Sequence, residues 1–552
     1  MCLKFTILLL ISAASTSAIA QNDIKGMVVS GSVQSDVLMP TGSQEDQSHD
    51  DLRTNTYVDV NLRSNHIDAG ARMEYLEHPL PGFEKDFQGW GVPYFYLKGK
   101  LKWGELTLGN YYDQFGSGFI FRSYEERSLG IDNSLCGARL VLKPMKGIQL
   151  KALTGKQRRY WSLNHSWVSG VDVEMSLDQW FKALSLHNTF VTLGASWVNK
   201  YEKASQDVIY ADPTHQLRLP QYVNAFDFRA NLVKNAFSLL GEYASKSQDP
   251  SFDNGYIYRR GYVAMLSASY SQRGLSLLLQ SKRSDNFSFR SRRSINGTSS
   301  FINHLPAFTE DQTYTLAALY PYATHPAGEW AYQAQLGYNF RKQTALGGRY
   351  GTNLKVNFSH IHSIQLNQKS SAAYPSLAAG SKATDGYGSS FWKWGNATYY
   401  QDLDVLFEHR FNRSFKLNFM YMNQFYNKTI VEGEGGLIHS NIFVADAQFR
   451  ISSKSTLRSE MQYLTTSQDQ GDWAFALLEY SLVPHWMFTA SDEYNCGTTK
   501  AHYWQLFLTY NIKAHRLQFG WGRTRSGYNC SGGVCRYVPG SKGFTLSYNY
   551  NF

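Results

Sequence analysis

The segment 113–135 combines both signs of charge with glycines and aromatic rings, which makes it the most unusual stretch of the sequence. Fixed charges that face a water-filled passage select among ions and hydrated solutes. We therefore interpret the segment as a connection that folds into a pore and constricts it. The alternative is a surface loop whose local ion pairs contribute little to stability. The candidate constriction residues are Asp113, Arg122, Glu125, Glu126, Arg127 and Asp132.

A second group of charges lies on and beside a run that alternates from Tyr399. Apolar side chains occupy one side of this run and charged ones the other, which predicts a charge network on the inner face of a barrel. A catalytic carboxylate pair in an outer-membrane hydrolase is a remote alternative. No Ser/His/Asp arrangement with a recognisable local context accompanies it, so we predict no enzymatic activity. The network comprises Lys355, Asp402, Asp404, Glu408 and Arg410.

Four arginines form a basic stretch in a chain whose formal net charge is +10. Guanidinium groups bind phosphate and carboxylate well, so these residues are candidates for contact with lipopolysaccharide phosphates or an anionic substrate. A solvated loop is the alternative. Nucleic acid is not an expected partner, because export separates the chain from it. The four residues are Arg283, Arg290, Arg292 and Arg293.

His360 and His362 lie two residues apart and therefore share one face of an extended segment. A metal pair is conceivable on this spacing. The same face, however, carries Leu354, Val356 and Phe358, which favours an interfacial belt near the outer rim. We predict neither a metal nor another cofactor.

Four cysteines follow the N-terminal region: Cys136, Cys496, Cys530 and Cys535. Four cysteines allow three pairings, and an exported compartment permits disulfides. Cys530 and Cys535 are a natural pair because they share one connection with two glycines between them. Cys136 with Cys496 would then join two distant connections. Free thiols are the alternative.

The C-terminal segment indicates the kind of element that positions these side chains. Its apolar residues alternate with Thr545, Ser547, Asn549 and Asn551, a period of two that predicts a strand with one apolar and one polar face. A strand of this kind with an aromatic terminus is typical of the closing strand of an outer-membrane barrel. The closing-strand residues are Phe544, Leu546, Tyr548, Tyr550 and Phe552.

Similar runs recur along the chain, and several are as long as a tilted membrane strand requires. They predict an all-β fold, a single transmembrane antiparallel up-and-down β-barrel of about 24 strands, with a range of 20–26. The predicted strands lie near 26–38, 55–65, 66–77, 93–103, 104–113, 136–143, 147–154, 167–177, 188–200, 222–233, 236–246, 257–271, 274–284, 328–341, 350–363, 397–411, 414–427, 438–451, 455–466, 472–482, 485–495, 500–512, 515–525 and 542–552.

Short and long connections alternate between these runs. Lys234-Asn235 is a short connection, whereas 285–327 and 364–396 are long ones. Outer-membrane barrels have short periplasmic turns and long extracellular loops, so the alternation assigns a side to each connection. A large secreted β-sandwich or β-helix is the alternative fold.

The N-terminal region explains export. Lys4, an apolar run from Phe5 and the small residues before Gln21 are typical of a cleaved signal peptide. We therefore predict two parts, a signal peptide at 1–20 and an outer-membrane barrel at 21–552. The short distance from Gln21 to the first strand predicts no N-terminal plug domain. Outer-membrane lipid, lipopolysaccharide and the barrel-assembly machinery of a Gram-negative bacterium are the expected partners.

Three stretches carry a resemblance to a known family. They are Gly109 to Gly118, Tyr124 to Asn133 and the tail motif Gly532 to Pro539. They resemble an uncharacterised family of outer-membrane proteins from Bacteroidota, and the resemblance spans the mature chain. It implies an outer-membrane barrel. The family has no established activity, so no functional residue is carried over.

These patterns favour a pore, in which a hydrophilic solute crosses a lumen that the chain's own loops constrict. A barrel near 24 strands is wide, so its interior must be filled by loops, chiefly 114–135, 285–327 and 364–396, or by a partner. The alternative is a structural or assembly component whose disulfide-braced loops hold a surface or periplasmic partner. Ion conductance in planar bilayers discriminates between the two.

Overall fold

A computed structural model describes residues 26–297, 299–369, 380, 382–531 and 534–552. The predicted signal peptide at 1–20 lies outside the described residues. Twenty-four long strands form one antiparallel sheet. In chain order they are β1 (Val28–Pro40), β2 (Arg53–Arg63), β3 (Ile67–Leu76), β4 (Gly89–Leu101), β5 (Gly104–Tyr111), β6 (Leu135–Leu142), β7 (Ile148–Arg159), β8 (Trp167–Ser176), β9 (Thr189–Tyr201), β10 (Tyr222–Lys234), β11 (Phe237–Lys246), β12 (Gly261–Gln272), β13 (Leu275–Asp285), β14 (Gly328–Phe340), β15 (Thr352–Ile364), β16 (Trp394–Arg410), β17 (Phe415–Asn427), β18 (Leu437–Arg450), β19 (Ser455–Thr465), β20 (Trp473–Leu482), β21 (Trp486–Asn495), β22 (His502–Ile512), β23 (His515–Arg523) and β24 (Lys542–Asn551).

The sheet closes on itself because β24 pairs with β1, from Ser32 opposite Asn551 to Pro40 opposite Gly543. The Gly31 N–H donates to the Phe552 carbonyl at 2.9 Å and extends this seam. Each of the other long strands pairs with its neighbours in the sequence. The predicted up-and-down barrel and its strand number are therefore confirmed.

The wall has two faces with different chemistry. On β24, Phe544 is exposed on the outside, whereas Thr545 and Ser547 face inward. Trp521, its neighbour on β23, stacks on Phe544 at 5.7 Å between ring centroids. Large exposed apolar side chains recur around the outer wall, including Leu506 and Phe519. An apolar outer band on a closed barrel is the surface that lipid solvates.

The two ends of the barrel differ in the length of their connections. At one end, residues 235–236, 273–274 and 513–514 join strands by tight turns. The other end carries the long connections, among them 286–327 and 524–541. We call these the short-turn end and the long-loop end. Their segregation confirms the predicted alternation of short and long connections.

Short helices and strand pairs lie at both ends of the barrel. At the short-turn end a helix, Lys182–Leu186, follows β8. The long-loop end holds the helix Lys428–Val431 and small strand pairs. Within the part of the chain that is described, no helix has the length and apolar character needed to cross a membrane. The small pairs are Asp113–Gln114 with Arg122–Ser123, Glu125–Glu126 with Ile131–Asp132, Tyr210–Asp212 with His215–Gln216, Asn367–Gln368 with Tyr387–Gly388, and Gly527–Ser531 with Val534–Val538.

Candidate functional site

Two long connections enter the barrel and fill much of its lumen. We call them together the plug, residues 112–134 and 286–327 without residue 298, which is not described. Phe115, Phe121 and Phe289 of the plug are completely buried. They belong to one apolar core with inward-facing wall residues, including Val198 of β9 and Val263 of β12. The hydrophobic effect thus holds these connections inside the barrel rather than above it.

The two parts of the plug are hydrogen-bonded to each other. The Arg122 N–H donates to the Ile302 carbonyl at 2.9 Å, and the His304 N–H donates to the Gly118 carbonyl at 2.9 Å. The Asn133 side-chain amide donates to the Phe301 carbonyl at 3.1 Å. Backbone groups that leave water are therefore paired, which lets irregular chain lie inside the barrel.

Glu242 of β11 anchors the first part of the plug. Its carboxylate accepts the Ser117 backbone N–H at 3.0 and 3.2 Å and the Ser117 hydroxyl at 2.5 Å. Gly116 makes this approach possible, because its φ is +51° and a Cβ there would lie 2.6 Å from the carboxylate. Only glycine adopts this turn at so short a distance without strain.

Wall amides and a carboxylate anchor the second part. The Leu316 N–H donates to the side chain of Gln462 at 2.8 Å. Gln424 donates to the Tyr320 carbonyl at 3.1 Å. Gln312 donates to Asp404 at 3.1 Å. These contacts come from β19, β17 and β16, which lie five to eight strands around the wall from the anchor at Glu242.

Two of the candidate constriction residues join a buried ion-pair cluster. Asp132 accepts hydrogen bonds from Arg72 of β3 and Arg158 of β7, and Glu125 pairs with Arg72 at 2.6 Å. Glu74 pairs with both arginines, at 2.7 and 2.6 Å. Burial would raise the pKa of Asp132, but the two guanidinium groups hold it below its ordinary value. The plug is thereby fixed to the wall by charge.

Of the other candidates in this segment, two pair with wall residues and two contact residues of the segment itself. Arg127 pairs with Asp59 of β2 at 2.9 Å, and Asp113 pairs with Lys151 of β7 at 2.9 Å. Arg122 stacks on the Tyr124 ring at 4.5 Å. Glu126 accepts the Ser128 hydroxyl at 2.7 Å. The segment thus lies inside the barrel, where most of its charges are neutralised by opposite charges.

The predicted lumen network separates into two groups. Asp402 accepts the Ser359 N–H at 2.9 Å and the Tyr400 hydroxyl at 3.0 Å, and Asn357 joins it to Asp404. Glu310 of the plug lies beside this group. Burial raises the pKa of Glu310, and the charge of Lys355 opposes that shift. Nearer the short-turn end, Glu408 approaches Lys416 at 3.9 Å and Arg410 is exposed.

Three of the four basic residues are buried and paired with carboxylates. Arg290 binds Asp253 at 2.7 Å, Arg293 binds Glu202 at 2.9 Å, and Arg283 approaches Asp285 at 3.6 Å. Arg283 also stacks on Tyr262, Trp330 and Phe391. Arg292 alone of the four is partly exposed. The structure therefore leaves Arg292 as the candidate of this set for contact with an external anion.

The two histidines lie on the outer wall of β15 among aromatic rings. His362 stacks on Trp394 at 4.8 Å, and His360 contacts Gln401 at 2.9 Å. Within the described residues, no group of three or more His, Cys, Asp or Glu side chains could hold a metal ion.

We expected the connection after β15 to fold into the lumen, but residues 365–393 follow a different course. Phe391 contacts the outward-facing Trp330, so the described part of this connection covers the outer wall rather than the lumen.

One disulfide joins Cys530 and Cys535, as predicted. Cys136 and Cys496 are free, so the second predicted pairing is wrong. Cys136 lies on β6, whereas Cys496 follows β21 on a distant part of the wall. Disulfide formation needs Cα atoms within about 7 Å, which this separation does not allow.

The lumen beside β21–β24, β1 and β2 is different from the filled part. Ten inward side chains here are polar and partly exposed, whereas other inward residues of the same strands, among them Tyr57 and Thr509, are buried. Their registers place Gln518 beside Ser547, and Ser547 beside Asp36. By contrast, Val198, Val223 and Val263 on the filled side are completely buried. We call this strip the open strip; it comprises Ser491, Gln505, Gln518, Thr545, Ser547, Asn549, Ser32, Gln34, Asp36 and Asp59.

The strand pair Gly527–Ser531 and Val534–Val538, which we call the hairpin, covers the plug at the long-loop end. Arg536 of this hairpin donates to the Ser128 carbonyl at 3.1 Å and stacks on Phe83 at 4.3 Å. Burial lowers the pKa of Arg536 to about 10. Sequence reasoning identified the disulfide of this hairpin but missed its contact with the plug, because no local pattern relates segments so far apart.

Sequence comparison relates the chain to a protein family. A family model described as a family of unknown function (DUF6029) matches residues 1–552. The chain belongs to this family. The DUF6029 match confirms the resemblance to a family without established activity, while an origin in Bacteroidota stays a prediction. No curated protein matches the chain.

Solved structures of other barrels align with this DUF6029 chain at low identity. The siderophore receptor PirA from Pseudomonas aeruginosa has a TM-score of 0.43 and 8% identity, over 95% of this chain and 80% of the receptor. The translocation pore of the P pilus usher PapC has a TM-score of 0.46 and 10% identity, over 95% and 99% of the two chains. The siderophore receptor PiuA from Acinetobacter baumannii has a TM-score of 0.40 and 12% identity, over 95% and 82%.

Proposed function

We propose that this protein is an outer-membrane barrel through which a hydrophilic solute passes, along the open strip and beside the plug. One observation carries the proposal. The ten side chains of the open strip are polar and partly exposed, whereas inward residues of β9, β10 and β12 are buried in the core that the plug forms. Hydrated solutes need polar side chains that they can reach, and on the filled side the inward polar groups, such as Glu242 and Gln462, are buried in hydrogen bonds with the plug.

The chemistry of the open strip suits a neutral or weakly charged solute. Asp36 accepts hydrogen bonds from Gln34 at 3.0 Å and from Ser547 at 2.5 Å. Asp59 is neutralised by Arg127. The remaining members of the strip are hydroxyl and amide side chains, which bind solutes through exchangeable hydrogen bonds. Weak, replaceable contacts of this kind favour passage over tight binding.

The plug sets the width of this proposed passage. Glu125, Arg127 and Asp132 hold it against β2, β3 and β7, next to the open strip. We therefore propose that these residues act as a constriction by positioning the plug, rather than as a ring of free charges. The proposed sidedness places the long-loop end outside the cell, with lipid and lipopolysaccharide around the wall and the barrel-assembly machinery as a biogenesis partner.

Conductance of the purified protein in planar lipid bilayers tests the proposal. We expect steady single-channel conductance from the wild-type protein. Gln518→Trp should lower it, because a ring at this position projects into the open strip. The matched control is Leu517→Trp on the same strand, which faces lipid and should leave conductance unchanged. A wild-type barrel that never conducts would overturn the proposal.

A second candidate function is a structural component that holds a protein partner. The observation in its favour is the density of contacts between plug, hairpin and wall, which braces the long-loop end. Tyr537 of the hairpin contacts Glu45, and Ser531 contacts Glu126. In this case the barrel would be sealed and would copurify with another protein from native membranes.

A further inference from the structure

A cavity of about 380 Å³ opens at the long-loop end and shares no lining residue with the open strip. It lies between both parts of the plug, the helix region after β17 and the disulfide hairpin. Cavities that bind small molecules usually measure about 300–1,000 Å³ and are mostly apolar. The volume therefore suffices for a small ligand, and its walls come from four separate parts of the chain.

The walls of the cavity are mainly apolar and aromatic. Tyr124, Phe301 and Tyr426 provide rings, and Leu305 and Val431 provide aliphatic surface. Rings of this kind contribute large contact area and attract cations to their faces. Such a lining favours a ligand with an apolar body.

Several polar groups in the wall are already occupied. Arg290 donates to Asp253 and to the Ser299 and Gly297 carbonyls, at 2.6–3.1 Å. Asn303 accepts the Phe289 N–H at 3.1 Å and donates to the Phe287 carbonyl at 2.9 Å. These side chains shape the cavity, but they have little capacity left for a ligand.

Two polar groups retain free capacity. The His304 side chain is nine-tenths buried, and no hydrogen bond from the described residues reaches its ring. Burial, with the charges of Arg122 and Lys282, lowers the pKa of His304 to about 3, so the imidazole is neutral. Glu432 accepts the Tyr426 hydroxyl at 2.9 Å and forms no ion pair with a described cation. A neutral imidazole and an available carboxylate thus face an aromatic chamber.

We propose that this cavity is a binding site for a small aromatic amine. Its ring would pack between Tyr124, Phe301 and Leu305, and its ammonium group would pair with Glu432. The His304 imidazole would accept or donate one further hydrogen bond. The site depends on the mouth of the barrel alone, so it stands whether or not a solute crosses the lumen.

Saturation-transfer difference NMR of the full chain in a neutral detergent tests the site, with empty micelles as the blank. Phenethylamine and phenylacetate serve as probes, since they share a ring and differ in charge. We expect phenethylamine to bind about fivefold more tightly than phenylacetate, equivalent to about 1 kcal/mol. Glu432→Gln should abolish this preference while the ring still binds.

Filling the cavity supplies an independent readout. Ala323→Trp should abolish binding of both probes, whereas Ala490→Trp on the lipid-facing wall should leave both unchanged. Circular dichroism checks that each variant is a folded barrel. Absence of phenethylamine binding, tighter binding of phenylacetate, or full binding to Ala323→Trp would each overturn the proposal. Conductance of the wild-type protein is measured separately, so failure of this site is distinct from failure of the proposed passage.

Discussion

At the scale of single residues, buried ion pairs hold the plug to the wall of the barrel. Arg158 is almost fully buried and binds Glu74 and Asp132, while its neighbour Arg159 is partly exposed and reaches Asp86 only at 3.5 Å. Removing one member of a buried ion pair leaves the other charge buried and unpaired, whereas water and salt screen the charges of an exposed pair. Adjacent residues of one type therefore have very different energetic roles.

The pair of arginines gives a matched prediction. Arg158→Met should lower the free energy of unfolding by about 3–5 kcal/mol, because Glu74 and Asp132 each lose one of their two buried arginine partners. Arg159→Met should change it by less than about 1 kcal/mol. Guanidinium titration of both variants in lipid vesicles measures the difference. Equal effects of the two substitutions would show that the buried ion-pair cluster does not stabilise the folded barrel.

His304 makes the plug sensitive to acid. Its pKa of about 3 in the packed plug lies below the ordinary value near 6.5. Between these values the released plug binds a proton that the packed plug does not, so stability falls as the pH falls. The loss begins near pH 6.5 and reaches about 2 kcal/mol at pH 5.

Amide hydrogen exchange at residues 302–305 measures this effect. After correction for intrinsic rates, exchange should be about thirtyfold faster at pH 5 than at pH 7. His304→Gln should remove most of the acceleration, since an amide does not titrate. His502→Gln, at an exposed histidine, is the control and should retain it. An unchanged acceleration in His304→Gln would contradict the assignment.

At the scale of elements, the sequence predicted the strands well and the loop contacts poorly. Alternation along β24 and β16 is a local pattern, so it could be identified without knowledge of the rest of the chain. The pairing of Arg72 with Arg158 through Glu74 joins positions far apart in the sequence, and no local signal marks it. The same reason explains the wrong pairing of Cys136 with Cys496 and the outward course of the connection 365–393.

The first part of the plug depends on its anchor at Glu242. Glu242→Gln replaces a carboxylate that accepts three hydrogen bonds from Ser117. Hydrogen bonds to a charged group contribute about 1.5–3 kcal/mol, so exchange at the Ser117 amide should accelerate roughly tenfold to hundredfold. Glu408→Gln, whose carboxylate does not contact the plug, should leave it unchanged. Exchange coupled to mass spectrometry measures both.

At the scale of the whole molecule, the fold follows from one pattern that recurs in all 24 long strands: one face of each strand points to lipid and the other to the lumen. Such a barrel is too wide for its own wall to fill, so the chain must supply an interior. The plug supplies it asymmetrically: its apolar core packs mainly against β5–β20, and Arg127 and the Arg72 cluster join it to β2 and β3. The open strip faces the space that remains beside β21–β24, β1 and β2. This asymmetry could not be predicted from the strand sequences, because strands that contact the plug and strands of the open strip show the same alternation of outward and inward side chains.

Cysteine accessibility along β23 and β24 during conductance recording tests the central claim most directly. In a background without Cys136 and Cys496, Gln518→Cys and Ser547→Cys face the open strip, and Phe519→Cys and Leu546→Cys face lipid. We expect a charged, membrane-impermeant thiosulfonate to reduce conductance through the first two variants and to leave the other two unchanged. Equal responses at inward and outward positions, or no conductance in any variant, would contradict a passage along this wall.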